Sequence, residues 1–384
     1  MVVDKKEDIQ FNRLVLVGNG FDLALGLKTG YNDFLLWLQK KYLILALEGK
    51  PVYSHEGKSY NVGYLNNDTF EIGINYKFSN FSYRVEIENF ENLDAFRKFL
   101  KASNIDFKIK SNLLNLILEH NNELGWVDIE SLFYKELKKC FGKKTENIMR
   151  VNRELEFLSI ELEIYLSEYT IEPNGWEQFG RTLNNQVTRE IKNMELEVEY
   201  LLNKDKLPEV IYFLNFNYTN ALFNITQDLK SWSHTKDIKL NWNPIHGQIN
   251  KAETPIIFGF GDETDKDYEK IEDLNNNRYF EHIKSFKYSQ TSNYQDLIKF
   301  LDSAYYQVCI YGHSCGLSDR TMLKEIFEHQ NCKSIKIFYY KRPDGSDDFL
   351  EKTMEISRHF SDKASMRRKV VNKEYSQEMP QNNL

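Results

Sequence analysis

The chain has 384 residues, of which 41% are hydrophobic, 14% aromatic and 28% charged. The formal net charge is −7, from 50 Lys and Arg against 57 Asp and Glu. This balance excludes wholesale disorder and gives no push towards nucleic acid, while only 7 Pro and 18 Gly exclude collagen-like and linker-rich architectures.

In chain order, the start through Gln10 lacks the charged-then-apolar pattern of a leader, and no apolar run reaches the roughly 18–20 residues of a membrane span. A cytoplasmic protein is expected. The first clear element is Arg13–Val17, an apolar run that ends abruptly at Gly18, Asn19 and Gly20. Its lack of alternation predicts a strand buried on both faces, as at the centre of a parallel sheet. Phe21–Leu25 predicts a short helix stopped by Gly26, and Tyr31–Glu48 a longer amphipathic one.

Residues 51–91 are rich in Asn, Tyr and Ser with short aromatic alternations, and predict a strand-and-loop insertion. From 92 to 204 the pattern is helical. Val151, Leu155, Leu158, Leu162, Tyr165 and Tyr169 recur at spacings of four and three, with Glu154, Glu161 and Glu168 between them. A second such face runs through Trp126, Ile129, Phe133 and Leu137, and places Asp128 and Glu130 at a helix start rather than in an acid–base pair.

Sheet character returns at Val210–Leu214, Pro255–Gly261, Gln307–Tyr311 and Ser334–Tyr340, with helical segments such as Ser318–His329 between. Strands alternating with helices define an α/β protein. We expect a Rossmann-like, mostly parallel sheet built from residues 1–50 and 205–345, a large inserted helical lobe over 92–204, and a polar, partly disordered tail over 362–384. Cys140, Cys309, Cys315 and Cys332 show no paired spacing and read as reduced, packed thiols. The 8 His and 4 Cys show no metal-ligand spacing, so no metal is expected.

Four motifs could carry chemistry. Gly18-Asn19-Gly20-Phe21-Asp22 sits at a strand-to-helix turn, where small residues let backbone N–H groups approach a phosphate. It could equally be a tight turn, since the third glycine of a dinucleotide fingerprint and the lysine of a Walker loop are both out of place. Asn217, with Tyr218 and Thr219, follows a strand end and could cap the next helix or point its carboxamide at a sugar hydroxyl or a water. His246, before Gly247, could be a buried structural imidazole or a general base. Gly312-His313-Ser314-Cys315-Gly316 matches the nucleophile elbow G-x-S-x-G after a strand and before a helix. It supports a serine hydrolase on Ser314, or a plain glycine turn; Asp319, Asp344, Asp347, His329 and His359 follow as candidate partners.

Taken together, the opening block from Leu14 to Phe34, the segment Trp126–Glu130, the Asn217 and His246 pair, and the stretch Tyr311–Asp319 resemble the AbiH family of bacterial phage abortive-infection proteins. The resemblance spans roughly 12–340 and implies anti-phage defence. A more distant resemblance, in the order of these motifs, is to sirtuin-like NAD-hydrolysing defence domains. It implies a sirtuin-like core in which Gly18, Asn19, Gly20, Phe21 and Asp22 hold NAD as a substrate, Asn217 and His246 are catalytic, and Gly312, His313, Ser314 and Asp319 shape the adenosine pocket. Asn19, Phe21 and Thr219 depart from that pattern. The implied partners are an NAD-like nucleotide, a phage or host trigger protein and a second copy of the chain, with no membrane and with nucleic acid disfavoured. A nucleotide sensor without turnover is the non-enzymatic alternative.

Overall fold

The computed structural model describes residues 9–48, 52–53, 60–75, 81–103, 105–124, 129–169, 176–197, 205–227 and 237–382. Its strands are β1 (Phe11–Val17), β2 (Val52–Tyr53), β3 (Tyr60–Asn66), β4 (Phe70–Asn75), β5 (Ile105–Ile109), β6 (Val210–Asn215), β7 (Lys239–Pro244), β8 (Tyr305–Tyr311), β9 (Cys332–Tyr339) and β10 (Gln377–Glu378). They fall in two compact units. One comprises Met1–Lys28, Leu166–Asn276 and His282–Leu384; the other comprises Thr29–Tyr165 and Asn277–Glu281.

The first unit holds a six-stranded sheet in the order β10-β9-β8-β1-β6-β7, every neighbouring pair parallel. Its buried residues show why β1 is an unbroken apolar run. Leu14 and Leu16 enter one core with Val308, Ile310, Ile335, Ile337 and the helices Asn293–Ser303 and Arg320–Glu328. Val15 and Val17 enter the opposite core with Ile211, Phe213, Tyr311 and the helix Trp176–Thr188. Alternate residues thus serve opposite faces, and both faces are covered by helices, as a parallel sheet requires. Counted along the chain, the order within this sheet is 6-5-4-1-2-3, so the direction of winding reverses between β1 and β8.

The second unit contains an antiparallel sheet in the order β2-β3-β4-β5. Phe70, Ile72 and Ile74 of β4 are fully buried, with the Tyr42 ring stacked on Phe70 at 4.5 Å. The long helix Thr145–Tyr169 carries the stripe read from the sequence: Val151, Leu155, Leu158, Leu162 and Tyr165 are all buried. Glu161 is buried too, and its carboxylate is taken by Lys41 at 2.6 Å and the Tyr42 hydroxyl at 3.0 Å.

Several elements differ from the sequence expectation. The helix Tyr31–Glu48 groups with the second unit and Trp176–Thr188 with the first, and β5 is a strand inside the stretch read as helical. Pro255–Gly261 is not a strand but a loop, buried from Ile257 on, with one bridge, Phe260 to Ile283. The sheet strand in this region is β7, whose sequence KLNWNP is polar because it lies at the sheet edge with outward-facing positions exposed. Over the residues expected to be a partly disordered tail, the structure has a helix at Lys363–Lys369, capped by Asp362, and β10 paired to β9. Lys369 is buried and donates to the carbonyls of Phe327 and His329, and Met379 is buried in the core. Trp126, Val127 and Asp128 lie outside the described residues. All four cysteines are free and buried.

Candidate functional site

At the carboxyl ends of four adjacent strands, β8, β1, β6 and β7, the chain turns out of the sheet and brings most of the motif residues together. The parallel ladder runs one residue past each strand end: Gly18 N–H donates to Tyr311 O, Phe216 N–H to Val17 O and Ile245 N–H to Asn215 O. Asp22, Asn217, His246, His313 and Asp319 are thereby fixed at one edge, and all five are buried.

The glycines there serve the approach of one loop to another. Gly20 N–H donates to Gly312 O at 2.9 Å, and Phe21 N–H donates to Gly18 O at 2.9 Å. A Cβ on Gly312, whose φ is +64°, would lie 2.1 Å from Phe21 N, and one on Gly20 would lie 2.7 Å from Gly312 O. The two turns interlock through bare backbone, which explains why both are glycine-rich. The amides of Gly20 and Phe21 are thereby spent on carbonyls of the protein. The Phe21 ring likewise belongs to the core, edge-on to Phe179 at 5.3 Å. Asn19 is exposed.

Asp22 faces β6. Its Oδ1 accepts from Asn217 Nδ2 at 2.8 Å and its Oδ2 from the Thr219 hydroxyl at 2.7 Å. Asn217 Nδ2 also donates to Gly18 O at 3.2 Å, which leaves its Oδ1 as the carboxamide atom that can accept from a ligand. Burial pushes the Asp22 carboxyl up to about 7, although both hydrogen bonds act to lower it.

His246 follows β7, and Gly247, with φ +81°, lets the chain fold back against Pro255. Its Nε2 lies 3.1 Å from the Tyr288 hydroxyl and 3.1 Å from Asp319 Oδ1. The same Asp319 oxygen accepts from Lys284 Nζ at 2.8 Å, and Oδ2 faces His313 Nε2 at 3.7 Å. Burial would raise the Asp319 carboxyl, but Lys284 and His246 hold it well below the usual carboxylate range. Burial and the Lys284 ammonium pull His246 below its ordinary value against the attraction of Asp319, so the imidazole is neutral near pH 7. His313 is buried still more effectively and falls to about 3; its Nδ1 accepts from the Cys315 amide at 3.0 Å. The Phe216 ring lies beside both imidazoles, at 5.1 Å from His246 and 4.1 Å from His313.

Lys284 and Tyr288 carried no motif in the sequence. They stand four apart on the five-residue helix Lys284–Tyr288, and that i, i+4 pair is the only local signal they leave. Lys352 and His359 brace the second turn from behind, donating to His313 O at 2.9 Å and bonding Cys315 O at 2.8 Å.

Ser314 is the motif residue left out of the cluster. It is exposed, and the left-handed residues of its turn are Gly312 and Cys315, not the serine that an elbow would strain. His359 reaches the backbone of Cys315 rather than the serine hydroxyl, and His329 pairs with Asp302 at 3.3 Å. Among the described residues no group of three or more His, Cys, Asp or Glu side chains could hold a metal ion, and no helix is long and apolar enough to cross a membrane.

Fold and site together define an α/β protein with a six-stranded parallel sheet whose carboxyl edge bears a buried Lys–Asp–His cluster. Residues 14–341 match the model of the family described as Bacteriophage abortive infection AbiH, and the chain belongs to that family. Its role is therefore in phage abortive infection. No curated protein matches the chain. The matched span takes in every site residue from Gly18 to Asp319, whereas the braces Lys352 and His359 lie beyond it.

Proposed function

We propose that this abortive-infection protein hydrolyses NAD, or a related nucleotide, at the N-glycosidic bond to nicotinamide. The observation that carries the reading is the place of the cluster: the sheet has the strand order of doubly wound dinucleotide-binding folds, and His246, Asn217 and Asp319 lie at the carboxyl edge around its switch point. The core is then Rossmann-like and, more distantly, sirtuin-like.

The chemistry suits the groups present. Water oxygen attacks the ribose C1′, the C1′–N bond breaks, and its electron pair leaves with nicotinamide, which departs neutral from a cationic pyridinium. No carboxylic acid is needed to protonate the leaving group, unlike O-glycoside hydrolysis with its acid pair. The water proton goes to His246, neutral at the start, and the resulting imidazolium lies against the Asp319 carboxylate. Tyr288, hydrogen-bonded to Nε2, is the group through which that proton travels. Asn217 Oδ1 holds the water or a ribose hydroxyl. With two amides of the first turn spent on carbonyls, nucleotide contacts fall to side chains at this edge and to the exposed Asn19 and Ser314.

The test is cellular NAD after phage challenge in cells carrying wild type, Asn217→Ala or His246→Ala, followed by turnover with purified protein. We expect NAD to collapse in wild type only, and His246→Ala to lower turnover by roughly 10²–10⁴-fold, the range of base catalysis. Protection with steady NAD would sink the reading and favour a nucleotide sensor.

A further inference from the structure

The helix Lys284–Tyr288 closes one side of the cluster, and Lys284 is the unusual member. It is among the largest fully buried side chains, at 1% exposure, and its Nζ lies 2.8 Å from Asp319 Oδ1. Taking an ammonium out of water carries a penalty of several kcal/mol unless a counter-charge meets it. Here that counter-charge is shared, because the same oxygen lies 3.1 Å from His246 Nε2. One carboxylate oxygen therefore has two suitors, and the permanent cation is the closer. If Lys284 were absent, Asp319 would have only the histidines to balance its charge, and His246 would take up a proton to do so.

We propose that Lys284 is a positioning residue for His246: by holding Asp319 in an ion pair it keeps the imidazole unprotonated and turned with Nε2 towards Tyr288, ready to accept a proton. The inference rests on the reading of His246 as the base. The groups facing His246 from the elements packed against it are Asp319, on the turn Leu317–Asp319; Lys284 and Tyr288, on their shared helix; His313, after β8; and Tyr218 and the Phe216 backbone, after β6. Of these Lys284 is the ammonium, so its removal leaves burial alone to oppose the attraction of Asp319. Burial and Lys284 both act downward on the histidine, in agreement with the geometry.

The decisive measurement needs no substrate. Histidine ring NMR on the full chain, with the His246 signal assigned by its loss in His246→Gln, gives the titration midpoint in wild type, Lys284→Met, Lys284→Arg and Asp319→Asn. Lys284→Met should raise the midpoint by at least about one pH unit, the size of effect of a charge within ion-pair distance. Lys284→Arg should restore most of the wild-type value, and Asp319→Asn should lower it. Where NAD turnover is present, its acid limb should move up by the same amount in Lys284→Met. A midpoint unchanged or lowered in Lys284→Met overturns the proposal. If Lys284→Met does not fold, an Asp319→Asn midpoint that fails to fall overturns it instead. Because the NMR reads His246 directly, failure of NAD hydrolysis would remove the proposed reaction without touching this result.

Discussion

Two buried ionic clusters share the parallel sheet, and they are built on opposite logic. Towards the amino ends of the strands, Arg13 of β1, Gln307 of β8 and Lys336 of β9 meet Glu195. Here one carboxylate meets a lysine, an arginine and a neutral amide, and no histidine takes part. Glu195 Oε1 accepts from Lys336 at 2.7 Å and from Arg189, and Oε2 accepts from Gln307 at 2.9 Å; Arg13 donates to Gln307 and to the carbonyls of Val187 and Arg189. Burial would push Glu195 up and pulls Lys336 down, yet the Lys336 and Gln307 hydrogen bonds hold Glu195 below its ordinary value, and the pair stays ionised. At the carboxyl ends, one carboxylate serves a lysine and two histidines, and a second, Asp22, is pushed to about 7. Burial of charge is common to both clusters and so does not mark a functional site. What distinguishes the second is that histidines share its carboxylate and that Asp22 beside them is pushed to about 7, the kind of perturbed carboxyl that acid–base work uses.

Glu195→Ala breaks the comparison most severely. It takes the anion from buried Lys336 and from Arg189, and should destabilise the first unit by about 3–5 kcal/mol in urea titration, with little dependence on pH between 6 and 8. A loss below about 1 kcal/mol would mean that the amino-end cluster is not the fixed scaffold described. Asp22→Asn sharpens the other side. Because the folded carboxyl titrates near 7 and an unfolded one near 4, the folded state alone holds the proton between those values. Its contribution to stability is thus full below about pH 4 and is lost as pH rises to 7, by up to about 1.4 kcal/mol per unit. Asp22→Asn should remove that slope; the difference between the two urea midpoints, followed from pH 4 to 8, measures it. The smallest effect is expected at Ser314. Being exposed and outside both clusters, Ser314→Ala should shift stability by less than about 0.5 kcal/mol, whereas phage protection lost in that variant while wild type protects with steady NAD would revive the hydrolase reading.

The strands that matter most were legible because their burial is two-sided. Val210–Leu214 and Gln307–Tyr311, like the run before Gly18, read as strands from apolar continuity alone, and the structure places them side by side with β1. β7 was not legible, since an edge strand with exposed positions has no such run, and the apolar Pro255–Gly261 competed for the assignment because a buried loop needs the same residue types. For the site, Asn217 stood out at a strand end, His246 before a glycine and Asp319 just after the second glycine turn. Lys284 could not, because nothing local distinguishes a lysine destined for burial; its partner Asp319 is 35 positions away. The glycine turns were visible, but the close approach of Gly20 to Gly312, 292 positions away, could not be read from either turn alone.

That interlock has a consequence for how the protein is made. The turn carrying Gly18 is synthesised first, and Asn217 and His246 follow it about 200 residues later. Gly312 and Asp319, with Lys352 and His359 behind them, come later still. A nascent chain therefore carries half of the cluster without its carboxylate and without the backbone against which Gly20 closes. The site comes into being only once the second glycine turn has left the ribosome, so growing copies of an abortive-infection protein can reach past His246 while none of them yet holds the assembled edge.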